Sequence, residues 1–536
     1  MMNVHFKIPK KSTYLTLSVI LSVTLVYVLY LYAILGFGIS PGMDDAYIVE
    51  HSVKGILSGQ ETSYINSSPW DGVTSPVYVF ILVLFSTIMP VTYAHYLISA
   101  LSILWLVAGW FILCKKHQLN DIVTIFIISI TLSIGVTTYQ LLNGLETGMA
   151  MAVLTWLLIA INKDVLPLWF YILTGIMCFL RPEFAALSAI LVIYILMKRP
   201  MGYLKGLIII CASFISFSSL LYLCSGHFIP NTMSAKSYFF AEGCRDFNVK
   251  KLSIIRRINA FIDNIGFYSL GFILVLLSKY RIILMLFIAS FISAYFYKLP
   301  GALDHNYFRY PYLLLPIALY GWVLFVNFYQ KQNSYRVKIA IILSLLLCIS
   351  IFFTTEFLTQ ILIIIFGVSV LVVNQYRKFI VTYVFSIIIF MLLVFSYTIP
   401  QISFIEKEAG ITKDNFQASY WITQHIPHHS VILIHDAGLI SEIVKNPLVD
   451  LVGLKTPSSI DIHRKMTYQQ CRRTPDAVAT IAENAQAQYF VVNRDWNRFF
   501  RLTQSLKDRG WDVKRIDNER GATHYQVYKI TKDISQ

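Results

Sequence analysis

The stretch from Tyr14 to Ile48, YLTLSVILSVTLVYVLYLYAILGFGISPGMDDAYI, decides the fold. Its first part, Tyr14–Ile39, contains no charged side chain, and a membrane-spanning helix needs about 20 mostly apolar residues. Lys7, Lys10 and Lys11 precede this segment, and an Asp-Asp pair follows it closely. Because basic residues flank spans on the cytoplasmic side, the stretch predicts a first transmembrane helix that leaves the cytoplasm and ends before two carboxylates on the outer side.

The composition of the whole chain agrees with this interpretation. Of its 536 residues, 56% are hydrophobic and only 14% are charged, whereas soluble domains carry about 25% charged residues. The chain is therefore predicted to be a polytopic α-helical membrane protein. A cytosolic enzyme, a nucleic-acid-binding protein and a disordered scaffold are disfavoured. The net charge of +15 is explained by Lys and Arg in cytoplasmic loops, so it does not by itself indicate an acidic partner.

Apolar segments along the chain predict about thirteen transmembrane helices. With the N-terminus in the cytoplasm, every predicted inner loop carries Lys or Arg, as the positive-inside rule requires. Pro76–Met89 is too short for a span and ends at Pro90, so it is predicted to lie at the outer surface. The predicted spans are Tyr14–Ile39, Tyr93–Cys114, Ile122–Leu142, Thr147–Ile161, Leu166–Leu180, Phe184–Met197, Leu204–Cys224, Ile265–Leu277, Ile282–Tyr297, Tyr310–Phe328, Lys338–Phe353, Leu358–Val373 and Ile380–Tyr397.

Two domains are expected. Residues 1–398 form the transmembrane domain, with 40–92 as the first outer loop and 76–89 as a juxtamembrane helix. Residues 399–536 form an extracytoplasmic α/β domain, a size typical of one small domain. Its predicted strands are Ser430–Ile434, Gln488–Val492, Trp511–Ile516 and His524–Ile530, and its predicted helices include Pro475–Ala485. Among the cysteines, Cys224, Cys244 and Cys471 fall near or outside the membrane. Two of them could therefore form one disulfide, although the sequence does not require it.

The adjacent carboxylates Asp44 and Asp45 are the strongest chemical signal. Like-charge crowding raises the pKa of one member of such a pair, which suits a general base. The alternative is a helix cap followed by a first-turn acid, because acids are favourable near a helix N-terminus. The dipeptide alone leaves both interpretations open.

The other outer loops add acids, cations and aromatic residues. Lys236 is a cation on a face where positive charge is depleted, and a lipid phosphate is its natural partner. Trp70 is suited to stacking on a sugar, but belt tryptophans at membrane interfaces are common. Glu146, if it lay beside Asp45, could hold a divalent ion. Arg181 and Glu183 either neutralise each other or bind phosphate and substrate.

In order along the chain, these motifs resemble the GT-C superfamily of polytopic glycosyltransferases, and within it the mycobacterial terminal arabinofuranosyltransferase group and related bacterial proteins. The segments that carry the resemblance are Asp44–Ile48, Gly72–Pro76 (GVTSP), Gly144–Glu146, Arg181–Glu183, Pro230–Lys236 (PNTMSAK), His305–Tyr310, His435–Gly438 and Val449–Leu454.

The resemblance implies an inverting transfer of a sugar from a polyprenyl-phosphate-linked donor to a glycan or glycolipid acceptor. The reaction would take place on the outer face of a bacterial inner membrane, in the building of the cell envelope or lipopolysaccharide, with a periplasmic C-terminal domain. Asp44 or Asp45 would be the general base. No nucleotide-sugar site is needed, no cofactor is assigned, and a divalent cation held by Asp45 and Glu146 is left open. The donor phosphate is assigned to Lys236, Arg309, His305 and Arg181, and the substrate to Tyr47, His51, Trp70, Glu146, Glu183 and Asn231.

Other functions also fit a chain of this kind. They are a lipid-linked sugar transporter or flippase, a transferase of the same fold that acts on protein or lipid A, and a glycan-binding sensor. Transporters place polar residues near the bilayer midplane and often contain internal repeats. Here the acids lie in the outer loops, and no repeat is visible, which favours an enzyme.

Overall fold

Helices account for the first part of the chain, and a sheet begins only after residue 431. The computed structural model describes residues 17–29 except 19, 23, 26 and 27, and residues 44–163, 165–198, 203–331, 410–471, 475–521 and 523–532. Up to residue 331 the helices are Asp44–Ser58, Pro76–Ser86, Val91–Lys116, Asp121–Ser133, Thr137–Leu142, Thr147–Ile161, Leu168–Leu180, Phe184–Lys198, Tyr203–Ser225, Thr232–Phe240, Phe247–Ile265, Leu270–Leu274, Arg281–Lys298, His305–Tyr312 and Leu315–Lys331.

Within the described residues, four helices are long and apolar enough to cross a membrane. A fifth would be formed by Ala302–Tyr312 and Leu315–Lys331, which are bent by 49°. Each predicted span between Tyr93 and Phe328 falls on helical segments, and the described positions of 17–29 are also helical. The count of thirteen stays a prediction, because several of these helices are short. The predicted spans Lys338–Phe353, Leu358–Val373 and Ile380–Tyr397 lie outside the described residues.

One predicted span is interrupted. Ile122–Leu142 was expected to be continuous, but the first helix ends at Ser133 and the next begins at Thr137. At the break, Gly135 has φ +53°, and an added Cβ there would lie 2.2 Å from the Tyr312 hydroxyl oxygen. That hydroxyl accepts a hydrogen bond from the Val136 amide at 2.7 Å and donates one to Asn264. The close approach of Tyr312, which needs a glycine, is a contact that hydropathy cannot predict.

A long helix lies in a segment predicted as an outer loop. Phe247–Ile265 begins after Asp246, whose side chain accepts a hydrogen bond from the Asn248 amide. Its buried side chains Ile254, Phe261 and Ile265 share one helical face. Four basic residues on the same helix interrupt its apolar run, so a search for uniformly apolar segments misses it.

The described residues after 409 form an α/β domain around a five-stranded sheet. The strands are β1 Ile432–Ile434, β2 Leu448–Asp450, β3 Tyr489–Asn493, β4 Trp511–Arg515 and β5 Tyr525–Lys532. Their order in the sheet is β2-β1-β3-β5-β4, with β2, β1 and β3 parallel and with β5 antiparallel to both β3 and β4. Four of the strands confirm predictions, and β2 is additional. The helices are 410–425, Leu439–Ile443, Pro457–His463 with a π-helical turn Arg464–Tyr468, Pro475–Asn484, Arg494–Phe500 and Leu502–Lys507.

The first outer loop extends this sheet. Tyr64 forms a parallel bridge with Leu448 on the edge strand β2. The Leu448 amide donates to the Ser63 carbonyl at 2.9 Å, and the Ile65 amide donates to the Leu448 carbonyl at 3.1 Å. The Tyr64 hydroxyl donates to the Ala437 carbonyl at 2.6 Å. The edge of the C-terminal domain is therefore covered by the loop that follows the first predicted span.

Buried charges support the same junction. Glu61 contacts Lys455 Nζ at 3.2 Å through Oε2 and His51 Nε2 at 2.5 Å through Oε1. Lys455 is fully buried, so its charge needs this partner. Burial raises the pKa of Glu61, but His51 and Lys455 lower it, to about 2. Glu61 therefore stays ionised under the loop.

This ion pair predicts an acid-dependent stability. The pKa of Glu61 falls from its ordinary 4.5 to about 2 on folding, so its contribution is complete above pH 4.5 and is lost as the pH falls through 2. We expect Glu61→Gln to lower the free energy of unfolding at pH 5 by about 2–3 kcal/mol and to approach the wild type at pH 2. Thermal unfolding between pH 5 and pH 2 measures this. Glu483→Gln, at an exposed pair with Lys532, should change little, and parallel curves for Glu61→Gln and wild type would contradict the assignment.

A disulfide joins the two parts of the chain. Cys244 precedes the Phe247–Ile265 helix, and Cys471 lies in the C-terminal domain, with 5.5 Å between their Cα atoms. We expect reduction of the denatured protein to expose two more cysteines to alkylation. Cys471→Ser should destabilise the docked C-terminal domain by about 2–4 kcal/mol, detected as faster proteolysis. Cys211→Ser, at an exposed free cysteine, is the control, and equal alkylation before and after reduction would show that the bond does not form.

Candidate active site

The two acids of the Asp-Asp pair face different partners. Asp44 begins the Asp44–Ser58 helix. Its carboxylate accepts hydrogen bonds from the backbone amides of Gly438 at 3.1 Å and Leu439 at 2.9 Å. Asn415 adds a weaker contact at 3.4 Å. An added Cβ at Gly438 would lie 2.1 Å from the Asp44 carbonyl oxygen, so only glycine allows this approach. Asp44 therefore anchors the C-terminal domain.

Asp45 points toward cations. Its Oδ2 accepts from Asn306 Nδ2 at 2.9 Å and from Arg309 Nη1 at 3.0 Å, and Lys236 Nζ lies 3.9 Å away. Among the described residues, no hydrogen bond or ion pair reaches its Oδ1. Burial raises the pKa of Asp45, but Lys236, Arg309 and His305 lower it to about 2. Burial, Asp436 and Asp45 raise the pKa of Asp44 well above its usual range, although the two amides oppose the shift.

Asp45 belongs to a line of alternating charges, buried in its middle and partly exposed at Asp45 and Lys236, which we call the charge chain. Arg309 spans two acids, with Nη1 on Asp45 and Nη2 2.7 Å from Glu146 Oε1. Arg181 contacts the same Glu146 oxygen and, through Nη2, Glu183 at 2.6 Å. Arg181 and Glu146 are each 1% exposed and Arg309 is 4% exposed, so none of them could lose its partner cheaply. The charge chain consists of Glu183, Arg181, Glu146, Arg309, Asp45 and Lys236.

A strained backbone segment positions two of the residues that contact Asp45. Asn306, Tyr307 and Phe308 have φ values of 48°, 56° and 65°, three successive left-handed residues without a glycine. Such backbone persists only where the surroundings hold it. Gln140 does so by donating to the carbonyls of Asn306 at 2.8 Å and Tyr307 at 2.9 Å. The turn brings both Asn306 and Arg309 onto Asp45.

The acids open onto a cavity of about 210 Å³ between the two parts of the chain. The C-terminal domain supplies one wall. Residues lining the cavity include Asp44, Asp45, Tyr47, Lys236, Phe240, His305, Asn306, Asn415, His435, Asp436, Trp496 and Tyr525. A second cavity of about 20 Å³, which we call the narrow continuation because it shares Asp45 and Lys236 with the first, is lined also by Gly72, Thr74, Ser75, Glu146 and Arg309. The structure thus brings together Asp44, Asp45, Tyr47, Glu146, Lys236, His305 and Arg309 from the predicted set.

His435 and Asp436 were not assigned a role from the sequence, although their segment contributed to the resemblance. They directly follow β1, and ligands of parallel sheets bind beyond the carboxyl ends of the strands. A polar pair immediately after a buried strand was the available signal. Asp436 Oδ2 accepts from the Tyr525 hydroxyl at 2.6 Å and lies 3.2 Å from His435 Nε2. Burial raises the pKa of Asp436, but His435 and Tyr525 leave it below its usual value.

Other predicted residues lie away from this cavity. His51 contacts Glu61, Trp70 packs on Phe80 at 4.9 Å between ring centroids, and Asn231 donates to Asp71 at 2.9 Å. Arg181 and Glu183 lie deeper, at the far end of the charge chain. The geometry gives no support to a direct substrate contact by these five residues, and those roles stay predictions.

The two acids that were predicted to hold a metal ion, Asp45 and Glu146, both contact the guanidinium group of Arg309 instead. Arg309 lies between Asp45 and Glu146, at the position where a bridging metal would be expected. Among the described residues, no group of three or more His, Cys, Asp or Glu side chains could hold a metal ion. The divalent ion stays a prediction, and the guanidinium accounts for the geometry without it.

The chain shares the fold of solved structures, and it is the fold that the sequence resemblance implied. It is similar to ArnT from Cupriavidus metallidurans bound to undecaprenyl phosphate, with a TM-score of 0.54 and 12% identity over 96% of this chain and 97% of that chain. The apo state of the same protein gives a TM-score of 0.55 at the same identity and coverage. At 12% identity, this likeness shows the fold alone.

Two further comparisons concern parts of the chain or weaker likenesses. The arabinofuranosyltransferase AftD from Mycobacteria has a TM-score of 0.39 and 12% identity over 96% of this chain and 40% of that chain, too low to support an inference. A family described as a domain of unknown function (DUF8728) matches residues 403–528, which contain the C-terminal sheet. Curated proteins give no sequence match.

The charge chain predicts a large effect for one substitution. Arg309→Met leaves Asp45 and Glu146 buried without their shared cation, so we expect a loss of about 3–5 kcal/mol in stability. Adding Glu146→Gln should recover part of this loss. Thermal unfolding of the detergent-purified protein measures both changes. The control, Arg464→Met, removes an exposed ion pair with Asp461, and its stability should fall within about 0.5 kcal/mol of wild type. An equally small change for Arg309→Met would contradict the proposed role of the charge chain.

Proposed function

We propose that this protein is a membrane glycosyltransferase that moves a sugar from a polyprenyl-phosphate-linked donor to a hydroxyl of a glycan or glycolipid acceptor. The observation that carries the proposal is Asp45, which has one oxygen without a described partner and the other beside Lys236 and Arg309. An acid beside two cations, at a cavity next to apolar helices, is what a lipid-phosphate leaving group requires. The shared fold with ArnT, whose structure holds undecaprenyl phosphate, supports the same donor class.

The donor phosphate is assigned to the narrow continuation of the cavity. Lys236 and Arg309 line it and would stabilise the negative charge. Ser75 also lines it, is buried, and has a hydroxyl oxygen with no hydrogen-bond partner among the described residues. A buried hydroxyl without a partner is unfavourable, and a phosphate oxygen would accept a hydrogen bond from it.

In the proposed step, the acceptor hydroxyl oxygen attacks the anomeric carbon of the donor sugar. The hydroxyl proton passes to Asp45 Oδ1, and the bond between the anomeric carbon and the phosphate oxygen breaks. The electron pair of that bond leaves with the polyprenyl phosphate, beside Lys236 and Arg309. Attack from the face opposite the phosphate inverts the anomeric configuration.

The same cations determine the order of two steps, the binding of the donor and the deprotonation of the acceptor. Lys236, Arg309 and His305 outweigh burial and hold the pKa of Asp45 at about 2, too low for an effective base. A bound phosphate would compensate the charges of Lys236 and Arg309, so the pKa of Asp45 would rise. Donor binding would therefore activate the base before the acceptor is deprotonated.

The proposed location is the outer face of a bacterial inner membrane, with the C-terminal domain in the periplasm. The Cys244–Cys471 disulfide supports an oxidising compartment for that domain. The placement of Lys and Arg in the predicted inner loops supports the same orientation.

The test complements a deletion strain with wild-type protein, Asp45→Asn, Asp44→Asn or Asp304→Asn and determines the envelope glycans by mass spectrometry. Removing the general base should slow transfer by about 10²- to 10⁴-fold, so Asp45→Asn should leave a glycan that lacks one sugar. Asp304 is an acid of the same outer region, half exposed and paired with Arg257, and its variant should complement fully.

The outcomes separate the assignments. Native mass spectrometry with added undecaprenyl phosphate should show binding by wild type and weaker binding by Lys236→Ala. A normal glycan in Asp45→Asn, with expression equal to wild type, would refute the mechanism. A greater loss in Asp44→Asn than in Asp45→Asn would transfer the role of the base to Asp44.

A further inference from the structure

We infer that the C-terminal domain, together with Phe240 from the Thr232–Phe240 helix, forms a binding subsite for an uncharged saccharide ring, with Trp496, His435, Asp436 and Asn415 as the residues from the domain. All five residues line the cavity onto which Asp45 opens. That the ring belongs to the acceptor rests on the function proposed above. The subsite itself rests on the geometry of these side chains.

Aromatic side chains provide an apolar surface. Trp496 lies on the Arg494–Phe500 helix, is partly exposed, and has its ring centroid 6.0 Å from that of Phe240 and 4.8 Å from that of His435. Phe500 packs behind it at 4.8 Å. A partly exposed indole in a cavity suits the C–H face of a sugar ring, because its flat apolar surface can be covered by the ring.

Polar atoms in the same wall lack partners. Asn415 Oδ1 and His435 Nδ1 have no hydrogen bond among the described residues, although both side chains are 2% exposed. A buried polar atom without a partner costs about 1–3 kcal/mol, so a ligand or water that bonds to both is favoured. The Asp436 carboxylate adds further acceptor capacity beside them. An acceptor-rich surface next to an aromatic ring fits a molecule with several hydroxyl donors.

The charges of the cavity select among saccharides. Three carboxylates line it, those of Asp44, Asp45 and Asp436, and Asp436 lies on the wall that carries Trp496. The cations Lys236 and Arg309 are turned toward Asp45. A phosphorylated or carboxylated ring on Trp496 would therefore meet the carboxylate of Asp436, while Lys236 and Arg309 are held by Asp45. The geometry fits a neutral sugar and disfavours a ring that carries phosphate.

The experiment is saturation-transfer NMR on the full-length protein in phosphatidylcholine nanodiscs, because maltoside detergents would introduce sugar. The probes are the methyl glycosides of galactose, mannose and rhamnose, with glucose 6-phosphate and methyl glucuronide as anionic counterparts. We expect saturation of ring protons in at least one neutral glycoside and at least fivefold less in the anionic sugars. Trp496→Ala should reduce the neutral signal at least fivefold.

A matched control lies on the same helix. Phe499 is 77% exposed and does not line the cavity, so Phe499→Ala should leave the signal unchanged. Trp496→Phe should keep part of the signal. Asp436→Asn, which retains an acceptor for Tyr525, should weaken the signal without altering the thermal unfolding midpoint.

The outcomes distinguish this subsite from the catalytic proposal. Absence of saturation in every neutral glycoside with wild type, or equal signals in Trp496→Ala and Phe499→Ala, overturns the subsite. If either result accompanies loss of glycan in Asp45→Asn, the transferase stands without the subsite. If Trp496→Ala loses the sugar signal while Asp45→Asn makes a normal glycan, the subsite stands and the proposed reaction fails.

Discussion

The constraint on which the site depends is that buried charges must alternate. The charge chain draws its members from five separate segments, and each interior member lies between two opposite charges. Because an unpaired buried charge is strongly destabilising, the segments cannot shift independently. Arg309 is the central member, since its fork reaches Asp45 with one nitrogen and Glu146 with the other. A lysine, with a single point charge, could not fix two acids in this way.

This arrangement explains why two neighbouring acids differ so much. Successive helical residues point about 100° apart, so Asp44 faces the amides of Gly438 and Leu439 while Asp45 faces Arg309. Each of the two interpretations of the dipeptide therefore matches one of its residues. Asp44 is a first-turn acid that accepts hydrogen bonds from backbone amides, although these amides belong to the C-terminal domain and not to its own helix. Asp45 is the acid that contacts the cations.

Much of this could be predicted from the sequence, and the remainder has a common physical cause. Apolar runs located the predicted spans between Tyr93 and Phe328 on helical segments but not the helix Phe247–Ile265, and charge placement predicted the polar loops that the charge chain joins. The interruption at Gly135 depends on Tyr312, far along the chain, and the order of charges depends on how Arg309 is turned by the left-handed residues before it. Hydropathy and spacing describe neighbours along the chain, whereas these features are contacts between distant segments.

The C-terminal wall is the clearest case of such a contact, and it bears on how the cavity is formed. Asp44 bonds to the segment just after β1, while Tyr64 bonds to β2 and to Ala437. The same loop therefore positions Asp45 and fixes the carboxyl end of β1, where Asp436 stands. With Asp44 and Gly438 in contact, Asp45 and Asp436 cannot move far relative to each other. A cavity between two domains normally changes shape as the domains move, but here the acid of one wall and the polar pair of the other are held by a single short segment of backbone. The spacing between Asp45 and the opposite wall is thus set locally, because Gly438 has no side chain and lets the carbonyl oxygen of Asp44 approach closely.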